Sequence, residues 1–157
     1  MTQGSDKTLH GIGINEGEIT VSANKSVGFA LIKGGDSKNS GTISITSGST
    51  GSIGFYGEQD KFTNKGKISA ENIALALKGT TEGNIKNTGT LNLTKEGAVG
   101  VYAEDSVVDF DIAPTVAGGV DKTVALYATG NSKIKSKITS ASGKAHIGVY
   151  AEGNAEF

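Results

Sequence analysis

The sequence predicts an all-β chain wound as a parallel β-helix of about six turns, and three observations predict it. Two short phrases recur roughly every 24 residues along a 157-residue chain. Both phrases alternate apolar and polar residues with period two, the signature of a strand rather than a helix. Composition supplies the third: 24 glycines, one proline and a hydrophobic fraction of 36% suit many turns around a thin core.

The first phrase is N-x-G-x-(I/L). It reads NEGEI from Asn15, NSGTI from Asn39, NKGKI from Asn64 and NTGTL from Asn87, with successive asparagines 24, 25 and 23 residues apart. The strand that follows puts Ile43, Ile45, Leu91 and Leu93 on one face and Thr, Ser or Asn on the other. The asparagines are expected to stack as a ladder at one corner, each amide bonding to backbone and to the amide above it. The glycine two residues on is expected to take a backbone conformation that other residues resist.

The second phrase is apolar, then Gly or Ala, then apolar, then Ala or Tyr. It starts at Val27, Ile53, Ile73, Val99, Val124 and Ile147, so five steps cover 120 residues. Period-two reading points Ile19, Val21, Val27, Phe29 and Leu31 inward. The same reading turns Val99 with Val101, Val124 with Leu126, and Ile147 with Val149 inward as well. Each such aliphatic side chain contributes on the order of 1.5–3 kcal/mol when buried. The outward column of this phrase holds Tyr56, Tyr102, Tyr127 and Tyr150, with Ala30 and Ala76 at the same position. These tyrosines, with Glu104 and Glu152 close by, are the candidate partner-binding residues, because aromatic side chains dominate interfaces. The structural reading of the same tyrosines, mutual covering of apolar surface, is the favoured one.

The rhythm loosens after Glu104. VVDFDIAPTVAGGVDKT replaces one Asn-Gly corner and KIKSKI the next, and residues 113–123, which hold Pro114, read as a loop inserted into a turn. Residues 1–11 form a lead-in and 12–157 the repeat segment. Neither end carries a polar capping unit, so the chain is expected to be a segment of a longer solenoid, uncapped at both ends, with Met1 added for expression.

Other chemistries find little footing. With no cysteine, thiolate metal sites and cysteine nucleophiles are absent. His10 and His146 are isolated, so no metal or cofactor is expected. All 15 basic residues are lysines and net charge is −1, which argues against a nucleic-acid partner. No apolar run approaches the roughly 18 residues needed to cross a bilayer. The N-terminal stretch MTQGSDKTLHG has neither the basic nor the apolar region of a signal peptide. The best acidic group for catalysis is Glu104, Asp105, Asp109 and Asp111, with Glu152 further on, and no lysine is placed opposite it. Lys133, Lys135 and Lys137 form a short basic row read as a solvated edge, or as a contact for acidic glycans.

The phrases NKGKI, NTGTLNLT, GAVGVYAE and AHIGVYAEGN resemble the passenger repeats of the very large autotransporter adhesins of fusobacteria. The arginine-free composition is similar too, and the likeness covers most of residues 12–157. The resemblance implies a single-stranded right-handed β-helix displayed at the cell surface and anchored in the outer membrane by a C-terminal β-barrel. It implies adhesion as the function, with host cell-surface glycans, receptor proteins or other bacteria as partners. It transfers no binding residue. The chain is thus expected to bind or to space a binding tip rather than to catalyse. A polysaccharide-cleaving β-helix enzyme of the lyase type is the alternative.

Overall fold

The computed structural model describes residues 11–46, 48, 50–141 and 145–157; His10 and nearly all of the lead-in lie outside them. Every strand pair is parallel and no helix is present among the described residues. The chain is a β-solenoid of about six turns, the first five passing through three sheets each and the sixth through two.

Sheet A stacks Ile12–Asn15 (β1), Asp36–Asn39 (β4), Lys61–Asn64 (β7) and Ile85–Asn87 (β10). Sheet B stacks Glu18–Val21 (β2), Thr42–Ile45 (β5), Lys67–Ala70 (β8), Thr90–Leu93 (β11) and Thr115–Val116 (β14). Sheet C runs through all six turns: Val27–Ile32 (β3), Ile53–Glu58 (β6), Ile73–Lys78 (β9), Val99–Glu104 (β12), Val124–Thr129 (β15) and Ile147–Ala151 (β17). A two-stranded sheet D, Val107–Val108 (β13) with Lys133–Ile134 (β16), takes over in the fifth and sixth turns.

The core is a column of like residues, as a parallel stack in strict register demands. Ile43, Ile68 and Leu91 are buried one above another on sheet B, and Phe55, Leu75, Val101 and Leu126 on sheet C. Phe55 and Phe62 stack face to face, ring centroids 3.6 Å apart, with Phe29 edge-on to both. Ile19, Phe29, Leu31 and Val149 are only partly buried because they belong to the terminal turns.

Two expectations need correction. The first residue of the second phrase does not point inward: Val27 is 40% and Ile147 44% exposed, and Val99 and Val124 are half-buried. The small residue after it is the one turned in. A Cβ on Gly28 would meet Ile43 at 2.8 Å, and Ala74 and Ala125 are buried. Two consecutive residues, small then large, therefore face the core, and the strict alternation breaks at that point.

The glycine of the Asn-Gly corner is likewise not there for its backbone freedom, since Gly41, Gly66 and Gly89 do not have positive φ. They are there for space. A Cβ on Gly41 would lie 2.0 Å from the Gly17 carbonyl oxygen, and one on Gly66 2.0 Å from that of Gly41. The asparagines beside them donate amide to amide: Asn15 to Asn39 at 2.8 Å, Asn39 to Asn64 at 2.8 Å and Asn64 to Asn87 at 2.7 Å. Asn39 and Asn64 are fully buried, so each bond replaces water that neither amide can reach.

Positive φ is concentrated elsewhere. Sheet C ends, in every turn, on a left-handed residue: Lys33, Gln59, Gly79, Asp105, Gly130 and Gly153. In the corner after it, Asp60 is buried and its carboxylate accepts the N–H groups of Gly34, Gly35 and Glu58. Higher up the hydroxyls of Ser106 and Ser132 accept from Thr80 and Ser106 in the same manner.

Candidate binding face

The outer face of sheet C carries three parallel stripes because its strands pair in register. The first is β-branched: Val27 aligned with Ile53, Ile53 with Ile73, then Val99, Val124 and Ile147. The second aligns Tyr56 with Ala76 and Tyr102, then Tyr127 and Tyr150. The third aligns Glu58, Lys78, Glu104 and Thr129, with Glu152 at the same position one turn further, following Ala151, the partner of Ala128.

Tyr102 and Tyr127 stack with centroids 5.3 Å apart, and Tyr150 lies tilted by 30° against Tyr127 with centroids 4.8 Å apart. Ring faces are thereby spent on one another, and edges and hydroxyls look outward. Tyr150, on the last strand, is 47% exposed. Tyr56 stands apart from these three because Ala76 occupies the level between.

Carboxylates secure two of the hydroxyls. Tyr56 donates to Glu58 at 3.2 Å, and Tyr127 makes a very short hydrogen bond to Glu152. That bond, with burial as a lesser cause, pushes the Tyr127 phenol up to about 12. Burial, and then the charge of Glu104, raises Tyr102; burial and then Glu58 raise Tyr56. Lys78 bridges Glu104 at 3.1 Å, and the hydrogen bond to that carboxylate raises the lysine. All six candidate residues thus share one face, with Lys78 as a seventh member that the sequence pattern did not single out. Its signal was its position, two residues after Ala76 in the same phrase.

The acidic group considered for catalysis is dispersed. Glu104 belongs to sheet C. Asp105 sits at the corner, accepting the Asn131 N–H at 2.8 Å. Asp109 accepts the Gly83 N–H at 2.6 Å and Asp111 the Lys137 N–H at 3.3 Å. Among the described residues no three His, Cys, Asp or Glu side chains converge as metal ligands. The basic row is largely neutralised: Lys135 bridges Glu82 at 2.7 Å and Lys133 bridges Glu156 at 3.5 Å. His146 takes its place in a corner, with Nδ1 facing the Thr123 hydroxyl at 2.8 Å.

No protein-family model, curated protein or solved structure matches the chain. Its reading therefore rests on the geometry of its own faces.

The segment expected as a loop, 113–123, divides in two. Thr115 and Val116 pair with Asn92 and Leu93 as a fifth strand of sheet B, and Pro114 is buried against Gly100. Only 117–123 leaves the sheets, tied down by Lys122 to Glu96 at 2.6 Å. Pro114, Thr115 and Val116 face Thr139, Ser140 and Ala141 across an open cleft of about 440 Å³. That cleft has no ionisable lining.

Proposed function

We propose that this chain is a surface-displayed segment of an autotransporter-type passenger, working in adhesion through the outer face of sheet C. The observation that carries this reading is the run of Tyr102, Tyr127 and Tyr150 in register over three successive turns, flanked by Glu104 and Glu152. A rod with a side face of this kind suits an extended contact better than it suits turnover. The resemblance of the repeat phrases to fusobacterial adhesin passengers supports the same reading. So does the use of Asp105, Asp109 and Asp111 as acceptors for backbone N–H groups, which ties up the carboxylates a lyase would need. Partners of the proposed kind are host receptor proteins, cell-surface glycans or other bacteria. Tyr102, Tyr127 and Tyr150 cover faces of one another and turn edges and hydroxyls outward, which favours a protein contact at that part of the face.

The test is binding of the isolated chain to host cells and to co-colonising bacteria, with and without Tyr102→Ala/Tyr127→Ala/Tyr150→Ala. Adhesion that falls at least tenfold in the triple variant supports the face. Adhesion by a variant equal to that of the parent removes the face from the mechanism. A folded chain that binds no cell would leave it a spacer between the membrane and a binding tip.

A further inference from the structure

Sheets A and C carry opposite charge on their outer faces. Sheet A turns Lys38, Lys61 and Lys86 outward with one acid, Asp36, among them, so its net charge is positive, and none of the three lysines makes an ion pair with a described residue. Sheet C turns Glu58, Glu104 and Glu152 outward, with one lysine, Lys78, among them.

The two sets are also level. Lys38 and Glu58 belong to the second turn, and Lys86 and Glu104 to the fourth. On both faces the separation is two turns, about 9.6 Å at the spacing of parallel strands. The first turn is apolar on both: Ile12 is 78%, Ile14 63% and Ile32 57% exposed, at positions where higher turns carry charge. Like charge meets at two places: Lys61 with Lys78 in the third turn, where the Lys78 ammonium is already bonded to Glu104, and Asp36 with Glu58 in the second, where Lys61 lies beside Asp36 in register.

We propose that the outer face of sheet A docks on the outer face of sheet C of a second copy, with the two rods parallel and level. Lysine meets glutamate in the second and fourth turns, and isoleucine meets isoleucine in the first. Pairing sheet C with sheet C about a two-fold axis would set acid against acid, and pairing sheet A with itself would set lysine against lysine. The contact is therefore heterologous. A dimer keeps one free face of each kind, so association runs on beyond two copies unless the rotation closes a ring. The inference goes beyond adhesion, since rods that only space a tip would pack in the same way.

Sedimentation velocity at low and high salt tests it, with charge-swapped variants. The parent chain should form species larger than a monomer near 20 mM salt and dissociate near 500 mM, where screening length falls to a few ångströms. Lys38→Glu/Lys86→Glu and Glu58→Lys/Glu104→Lys should each weaken association about tenfold or more. Mixing the two should restore it, because the acidic sheet A of one then fits the basic sheet C of the other. Circular dichroism on each variant checks that it is folded. A second readout needs no substitution: the chain has four tyrosines and no tryptophan, and all four lie on sheet C, so dilution of the assembled form should change tyrosine emission. A parent chain that stays monomeric with unchanged emission at low salt overturns the proposal. So does association undiminished in both variants, or a mixture that fails to recover it. An oligolysine probe that binds sheet C while the parent stays monomeric would assign the face to a cationic partner instead.

Discussion

The first four turns and the last two follow one backbone path held by different chemistry. In turns one to four the corner between sheets A and B is closed by buried amides and a column of glycines. Both are neutral and both depend on contact between neighbouring turns. In turns five and six that corner disappears, and sheet D is held by carboxylates on backbone N–H groups and by lysines that span turns, as Lys135 does in reaching Glu82. The comparison teaches that the coil does not need the ladder to turn. It needs some acceptor for each corner N–H and room for the chain above. The amide ladder meets that need inside the protein; the aspartates meet it at the surface, where water competes and each bond is worth less.

The largest expected effect comes from removing room. Gly66→Ala puts a methyl group against the Gly41 carbonyl, backbone against backbone, and should cost about 3 kcal/mol or more in urea unfolding. Gly118→Ala, in the surface segment of the fifth turn with nothing near its Cβ, should stay within about 0.5 kcal/mol. Comparable costs at the two sites would break the contrast.

Next is the ladder itself. Asn64→Ala removes a donor and an acceptor, leaving the Asn39 amide N–H without its acceptor and the Asn87 amide oxygen without its donor, at a cost of about 2–4 kcal/mol. Asp109→Ala, its functional counterpart in the fifth turn, should cost under about 1.5 kcal/mol because Gly83 is exposed and its N–H can turn to water. A melting temperature unchanged in Asn64→Ala would count against the ladder. Smaller again is Glu82→Gln, which breaks a surface ion pair and should change stability by less than about 1 kcal/mol.

The smallest effect is spectroscopic. The Tyr127 phenol is raised from 10.0 to about 12, chiefly by its bond to Glu152. The protonated phenol is the favoured form in the folded chain, so this contribution to stability is complete below pH 10 and fades as pH climbs through 12. An ultraviolet titration should show Tyr127 ionising last, with Tyr56 and Tyr102 also raised, and Glu152→Gln should bring that last step down. A late tyrosine that persists in Glu152→Gln would remove that carboxylate as the cause.

The period of the two phrases made the turns and their register legible, because stacking converts a recurring residue into a column. What varied from turn to turn stayed hidden. The left-handed position closing sheet C is filled by Lys33, Gln59, Gly79, Asp105, Gly130 and Gly153, a shared conformation with no shared residue. Asp60 reads as one more surface acid until its three N–H donors are seen. Val27 and Ile147 misled through period two, since a small residue facing inward beside a large one shifts the phase. Within the candidate face, the tyrosine column followed directly from alignment. The pairing of Lys78 with Glu104 did not, because it joins two phrases whose sixth residues differ in charge.

Each recurrence of the two phrases climbs one strand spacing. Spin labels test it directly, and the absence of cysteine lets them be placed at will. Thr20→Cys/Thr115→Cys and Ala30→Cys/Tyr127→Cys join positions four turns apart, and Ala30→Cys/Tyr150→Cys positions five apart. Pulsed electron resonance should give backbone separations near 19 Å for the first two and near 24 Å for the third, one step of about 4.8 Å per turn. Separations that do not grow with the number of turns would contradict the stacked coil and every face built on it.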